Sequence, residues 1–470
     1  MSPGTGIDHV ELRTGAYADS VTLLQVSRQV QQLAGVVTAQ VAMATPLNVE
    51  VLERMGFAIP ADASVNHLVV AVRLEDPSTR DDVVAEVDRA LADSRRQVSG
   101  PAEEAPPRTT ASALRRTPGR VVLVSVPGAS AAVEAMDALE AGSDVMVFSD
   151  NVPLQQELAL KRFAADRDLL VMGPDCGTAV LDGLGLGFAN VVAPGPVGIV
   201  AASGTGCQQL LALLDHAGVG VGTAYGVGGR DLSAEVRGLA TRTALGRLDR
   251  DPGVELVVLV SKPPADEVAR ELTTYVDGLG TPVRTALLGP GRPDLTAAAE
   301  EVLRALGREV PAWPVRGTAR AATGTRLHGL FVGGTMKQEA EVLVAAAEVD
   351  PRRVELTDFG DDAYTSGRAH PMIDPTLRLE HLAEVAADDE TGVILLDVVL
   401  GHGAEPDPAA SLAPAIVSLR PPVVVTVVGT RHDPQGLDRQ VDALATAGAE
   451  VHLSNAGATR RALEILGGAA

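Results

Sequence analysis

The chain has 470 residues, 46% hydrophobic and 21% charged, a balance that excludes a disordered or fibrous protein and suits about three domains. Its net charge of −22 leaves no electrostatic footprint for nucleic acid or an anionic membrane surface. Two cysteines exclude a disulfide scaffold and point to a reducing cytoplasm, and neither a signal peptide at residues 1–10 nor an apolar run long enough to span a membrane is visible.

Aromatic residues make up only 2%, so Val, Leu, Ile and Ala must build the core, which suits buried parallel sheets flanked by helices. Residues 1–95 read as an N-terminal α/β unit. Residues 96–117 hold Ser-Gly-Pro, Glu-Glu, Pro-Pro and Arg-Arg without apolar period and read as a linker. From residue 121 apolar runs alternate with helical patterns. Strands are predicted at 121–126, 145–148, 169–172, 197–201, 256–260, 283–288, 329–332, 393–396 and 423–428. Such alternation implies parallel sheets built from βαβ units. A weaker break at 310–325 separates a C-terminal α/β domain, 326–470.

In open parallel sheets ligands bind beyond the carboxyl ends of the strands, so the residues after each apolar run carry the information. Ser149-Asp150-Asn151 follows one run and Gly173-Pro174-Asp175-Cys176 another; capping and a tight turn explain both equally well. No histidine neighbours Cys176 in sequence, which reads as an inert thiol. Ser203-Gly204-Thr205-Gly206 runs into a helix. Its glycines admit a ligand close to the backbone, and the helix start offers free N–H groups to a phosphate or acyl phosphate. Alone, it reads as readily as an N-cap. Gly333-Gly334-Thr335 is a second turn of this kind, with Lys337 at a helix start where lysine is unfavourable without an anion.

Only three of the 39 basic residues are lysine, Lys161, Lys262 and Lys337. Codon bias explains that scarcity, yet Lys262 follows a strand on the same sheet edge as Ser203 and is the candidate point charge for a transferred phosphoryl group. Lys161→Arg is expected to be harmless by comparison. Asp358, Asp361 and Asp362, with His370, form a carboxylate–histidine cluster that could hold Mg²⁺ or move protons, or be a solvated loop. Asp361 and His370 are the candidates for proton transfer. His402 in a glycine turn is a weaker one.

These turns, in this order, resemble the succinyl-CoA synthetase superfamily, and more specifically its FdrA family. The stretches that carry the FdrA resemblance are Asp150-Asn151, 172–178, Gly228-Gly229-Arg230-Asp231, Ser261-Lys262-Pro263-Pro264 and 367–375. The resemblance implies a CoA-binding-type Rossmann domain (118–193) followed by two flavodoxin-like domains (194–310 and 326–470). It implies two helix N-termini, at Ser203–Thr205 and Gly333–Thr335, clamping a phosphoryl or acyl-phosphate group. Ser149, Asp150, Asn151, Gly173, Pro174 and Asp175 match the CoA-domain loops. CoA is the implied cofactor, and partner subunits the implied partners in an oligomeric enzyme. The synthetase active-site histidine has no counterpart in Ala286-Leu287-Leu288-Gly289-Pro290-Gly291, and no segment resembles an ATP-grasp nucleotide domain. The resemblance therefore implies either an acyl-CoA synthetase-like subunit, a subunit of an oxamate carbamoyltransferase of allantoin breakdown using carbamoyl phosphate, or a non-catalytic CoA-binding scaffold.

Overall fold

The computed structural model describes residues 6–97, 107–119, 121–347, 349–365 and 368–467. Gly367 and residues 98–106 of the expected linker lie outside the described residues. The chain divides into two compact units. One holds residues 1–106 with 359–374, the other 107–358 with 375–470.

The first unit begins with β1 (Ile7–Thr14), α1 (Ser20–Gln31), β2 (Val36–Met43), α2 (Pro46–Arg54), β3 (His67–Leu74) and α3 (Arg80–Gln97). Its sheet is antiparallel, in the order β1-β3-β2. Central β3 is buried on both faces. Leu68, Val70 and Val72 pack among Val26 and Val30 of α1 and Val83 and Val87 of α3, whereas Val69 and Ala71 pack among Leu52 and Phe57. The period of two along a strand produces that division. Asp19 caps α1 by accepting from the Val21 and Thr22 N–H groups, and Thr45 caps α2 ahead of Pro46, as helix starts favour.

The second unit opens with α4 (Thr110–Arg116). This helix lies in the segment expected to be linker: a reciprocal Thr109–Ser112 capping box starts it, a local signal that the Pro- and charge-rich composition hides. There follow β4 (Val121–Val124), α5 (Gly128–Glu140), β5 (Asp144–Val147), α6 (Leu154–Ala165) and β6 (Val171–Met172). They form a Rossmann-type βαβαβ unit with parallel order β4-β5-β6. The hairpin β7 (Thr178–Leu181) and β8 (Leu184–Gly187) does not join that sheet. It pairs through β7 with the next one, so the sheets divide ahead of residue 178 and not at 193.

That next sheet contains β9 (Val197–Ala202), α7 (Gly204–His216), β10 (Val221–Gly226), α8 (Leu239–Asp249), β11 (Leu256–Ser261), α9 (Asp266–Val276), β12 (Val283–Leu287) and α10 (Leu295–Ala305). Its order is β12-β11-β9-β10-β7-β8. The four parallel strands take the flavodoxin-like arrangement 2-1-3-4.

The third sheet contains β13 (Val315–Arg316), β14 (Arg326–Phe331), α11 (Gly334–Ala346) and β15 (Val354–Asp358). After the short helix α12 (Asp362–Thr365) of the first unit come α13 (Thr376–Ala387), β16 (Thr391–Val399), α14 (Pro408–Val417), β17 (Val423–Val428), α15 (Leu437–Thr446), β18 (Glu450–His452) and α16 (Asn455–Gly467). Its order is β13-β18-β17-β16-β14-β15, which is 2-1-3-4-5 with β13 added antiparallel at the edge. All nine residues of β16 are buried, as for a central strand covered on both faces. Among the described residues no helix is long and apolar enough to cross a membrane.

Candidate functional site: two helix N-termini that meet

In each flavodoxin-like sheet the strand order reverses beside the first parallel strand, and loops diverge there to leave a crevice. In the second sheet that point carries Ser203–Thr205 after β9 and Lys262 after β11. In the third it carries Gly333–Thr335 after β14. The structure brings these two crevices together. Ser203 Oγ and Thr335 Oγ1 lie 2.6 Å apart in a buried hydrogen bond. A Cβ on Gly333 would stand 2.8–3.0 Å from the Thr205 side chain, so only glycine allows this approach.

The two N-termini are finished differently. Ser203 caps α7 by accepting from the Gly206 N–H at 3.0 Å, and Gly204 beside it is exposed. Helix α11 has no side-chain cap, so its first-turn N–H groups are open to a ligand. Its entry loop is instead held from behind. Asp397 of β16 accepts from the N–H groups of Val332 at 2.7 Å and Gly333 at 2.9 Å. It is fully buried, faces Arg378 Nη1 at 3.1 Å, and burial pushes it up to about 6 against those stabilising contacts. Asp397 lies within an apolar run that announces only a strand, so sequence reasoning passed over it.

Lys262 is half-buried at the same junction. A Cβ on Gly334 would lie 3.2 Å from Lys262 Nζ and 2.5 Å from Asp358 Oδ2, so both charged groups stand over the start of α11. Lys262 makes no hydrogen bond or ion pair among the described residues. The other two lysines are committed. Lys337 pairs with Glu341 one turn along α11 at 2.6 Å, which accounts for its place at a helix start without an anion. Lys161 has no exposed side chain and donates to Glu157 at 2.8 Å, Asp231 at 2.7 Å and the Val227 carbonyl at 2.9 Å. The expectation that Lys161→Arg is harmless is thereby overturned, because a planar guanidinium does not fit a three-way cage built for an ammonium.

Behind the junction a buried polar network fixes the two helices. Gln209 of α7 accepts from the Asn455 N–H at 3.1 Å, and the Asn455 amide donates to the Met336 carbonyl at 3.0 Å and to Glu339 at 2.7 Å. Glu339 also accepts from the Leu295 N–H at 2.6 Å, and burial pushes its carboxyl up to about 7.

The CoA-domain loops also come together. The Asp175 N–H donates to the Ser149 carbonyl at 3.0 Å and the Cys176 N–H to Val147 at 3.1 Å. Ser149 is buried, and its hydroxyl accepts from the Val126 N–H. Gly173 at φ +93° could not carry a Cβ, which would meet the Val147 carbonyl at 2.4 Å; Pro174 behind it is buried. Asp150, Asn151 and Asp175 are exposed. Helices α5 and α6 both start after a proline without a side-chain cap.

Asp361 and His370 fall in the other unit. The exposed Asp361 carboxylate accepts from the Ala363 N–H at 3.0 Å and so starts α12. His370 Nδ1 accepts from Met372 at 3.2 Å, and desolvation pushes the imidazole down to about 4, which leaves it neutral near pH 7. His402 is exposed beside Gly185 of β8. Cys176 and Cys207 are buried, and desolvation pushes both thiols up to about 12. Among the described residues no three His, Cys, Asp or Glu side chains converge to hold a metal. Of the carboxylates expected to cluster, Asp358 belongs to one unit and Asp361 and Asp362 to the other.

A family model described as CoA-ligase matches residues 330–465. One described as AllF, heavy metal-associated domain, matches residues 3–107. That stretch contains no cysteine, so a soft heavy metal does not fit it. The succinate–CoA ligase [ADP-forming] subunit alpha of Methanothermobacter thermautotrophicus is 28% identical over 36% of this chain and 58% of its own length. The malate–CoA ligase subunit alpha of Methylorubrum extorquens is 25% identical over 35% and 56%. The chain thus spans little more than half of the ligase subunits it matches. Among solved structures, the dinucleotide-forming acetyl-coenzyme A synthetase 1 of Ca. Korarchaeum cryptofilum aligns with 75% of this chain and 86% of its own, at 16% identity and a TM-score of 0.30. The CoA-ligase model and the ligase α subunits define the class, a succinyl-CoA synthetase-like protein. The uncharacterized protein YahF of Escherichia coli K12 is 35% identical over 93% of this chain and 95% of its own length. The chain belongs to the family of YahF, the FdrA-type branch of the CoA-ligase superfamily.

Proposed function

We propose that the chain is an FdrA-type, acyl-CoA synthetase-like subunit of a larger enzyme, and that it holds an acyl phosphate at the junction of α7 and α11. The observation that carries this is the meeting of two helix N-termini beside an unpaired lysine. The N–H groups of Gly204 and Thr205 on one side, and of Gly334, Thr335 and Met336 on the other, face the phosphoryl oxygens. Lys262 adds one compact positive charge. When the acyl carbon is attacked, its bond to the bridging oxygen breaks and the phosphate leaves with the electron pair. Donors already aimed at that oxygen stabilise the growing charge without reorganising. CoA would be held by the loops at Ser149–Asn151 and Gly173–Asp175 and would supply the accepting thiol, whose proton leaves with the released phosphate as the C–S bond forms. Asp361 and His370 take no proton in this reading. The first is spent on a helix start and the second is too weak a base.

A second reading, a carbamoyltransferase subunit that binds carbamoyl phosphate at the same junction, is favoured by the lack of a histidine in residues 286–291, since direct transfer from an acyl phosphate needs no phosphohistidine. Calorimetry with CoA, acetyl phosphate, carbamoyl phosphate and ATP in turn tests both. Binding of an acyl phosphate that Gly334→Val abolishes supports the shared site, and the preferred acyl phosphate separates the readings. ATP-dependent, acid-labile phosphorylation of a histidine would overturn both.

A further inference from the structure

The two flavodoxin-like sheets of the second unit are not equally complete. In the third sheet the fourth parallel strand, β17, is covered on its outer edge by β18, with β13 beyond it. In the second sheet the equivalent strand, β12, ends the sheet. After β12 the chain passes straight to α10, which packs on α7 as α16 packs on α11. The α15–β18 step of the sister domain is skipped.

Among the described residues, therefore, no strand pairs with the outer side of β12. The Val257 N–H donates to the Pro282 carbonyl and the Leu288 N–H to the Ser261 carbonyl. Even-numbered residues thus turn their backbone groups to β11, and by alternation Val283, Thr285 and Leu287 turn theirs outward. The Val283 carbonyl accepts from Arg284 Nη1 at 3.2 Å. Thr285, the middle residue, is exposed.

Beside this edge runs a groove of about 400 Å³ lined by Asp266, Ala269, Arg270 and Thr273 of α9, Thr285 and Leu287 of β12, and Arg292 and Pro293. The Arg270 and Arg292 guanidinium groups make no hydrogen bond or ion pair among the described residues. In a chain of net charge −22, two unpaired arginines set against the single Asp266 carboxylate leave this groove net positive, an acceptor for negative charge.

We propose that β12 is a strand-acceptor edge, completed by an extended, acidic segment of a partner subunit that pairs with the outward backbone of Thr285 and Leu287 and places carboxylates on Arg270 and Arg292. Main-chain pairing supplies affinity and the two arginines supply register and sign. The proposal deepens, and rests on, the reading of the chain as one subunit of a larger enzyme. It makes no use of the α7–α11 junction, so the two can fail separately.

The test is fluorescence anisotropy with the full chain and a labelled seven-residue peptide alternating glutamate and valine, beside its lysine-for-glutamate counterpart. The acidic peptide is expected to bind and the basic one not. Arg270→Glu with Arg292→Glu should weaken binding about tenfold or more. Thr285→Pro should abolish it, because proline removes an outward N–H that β11 does not use, a position edge strands tolerate; Thr285→Val should retain it. Thermal unfolding of each variant reports that the fold survives. Equal binding of both peptides, binding that survives Thr285→Pro, or no binding of the acidic peptide would overturn the proposal. Arginine-dependent binding of inorganic phosphate with no peptide binding would overturn it in favour of a small-anion pocket.

Discussion

Asp397 is the buried group on which the start of α11 depends, and Asp397→Asn is the substitution that isolates its role. Asparagine keeps the size, but its amide group faces two backbone N–H donors, Val332 and Gly333, with one oxygen where there were two. It also leaves Arg378, 4% exposed, without its counter-charge. Stranding one partner of a buried pair costs about 3–5 kcal/mol, and an unmet buried N–H about 1–3 kcal/mol; the two overlap, so about 3–5 kcal/mol in total is expected. Urea unfolding measures it. The double variant Asp397→Asn with Arg378→Met removes the stranded charge and should recover all but the N–H share, leaving about 1–3 kcal/mol. Phosphate binding should fall in both, since the loop entering α11 is loosened in both. A single-variant cost below about 1 kcal/mol, or a double variant no better than the single, would refute the assignment of Asp397 as the anchor of that loop.

Four further outcomes are expected. Lys262→Arg should lower turnover about 10²–10³-fold, as loss of one preorganised donor does, with the unfolding midpoint unchanged; Lys161→Met should instead cost stability, about 3–5 kcal/mol, by leaving Glu157 and Asp231 without their buried ammonium. Glu339, pushed up to about 7 from 4.5, holds in the folded state a proton that the unfolded chain releases earlier. Its contribution to stability is thus largest at low pH and fades as pH rises from about 4.5 to about 7, by at most about 3 kcal/mol. Glu339→Gln should remove that decline, and an identical pH–stability slope in the variant would contradict it. Cys176 and Cys207 should resist a thiol reagent at pH 8 until the protein unfolds; rapid stoichiometric labelling of the native chain would show that one of them is accessible.

The strand–helix alternation and both glycine turns were legible because they are local. A β-branched run followed by Ser-Gly-Thr-Gly or Gly-Gly-Thr carries its own explanation. Among the parallel strands of the two flavodoxin-like sheets, β10, β15 and β18 went unread because their local signals are weak. Gly222 and Gly226 interrupt β10, Glu355 and Asp358 make β15 polar, and β18 spans only Glu450–His452. Those three set the sheet orders, and the sheet orders bring Ser203 to Thr335 across 132 residues of sequence. Asp397 and Lys161 illustrate the limit on single residues. A carboxylate inside Leu395–Leu400 and a lysine inside the amphipathic pattern of α6 look respectively like a strand defect and a surface charge. Their meaning comes from partners 64–70 residues away. Ser203 is an N-cap, as one of its two sequence explanations has it, and its hydroxyl also touches Thr335.

The central claim, an acyl-phosphate cradle formed by two helix N-termini, is tested most directly by a crystal structure of the chain grown with arsenate as a phosphate stand-in, using the arsenic anomalous signal. The account predicts a peak at the α7–α11 junction, within hydrogen-bond distance of the Gly204, Thr205, Gly334 and Thr335 N–H groups and of Lys262 Nζ, and no such peak in Gly334→Val. Arsenate bound elsewhere with the junction empty, or a junction peak that persists in Gly334→Val, would contradict it.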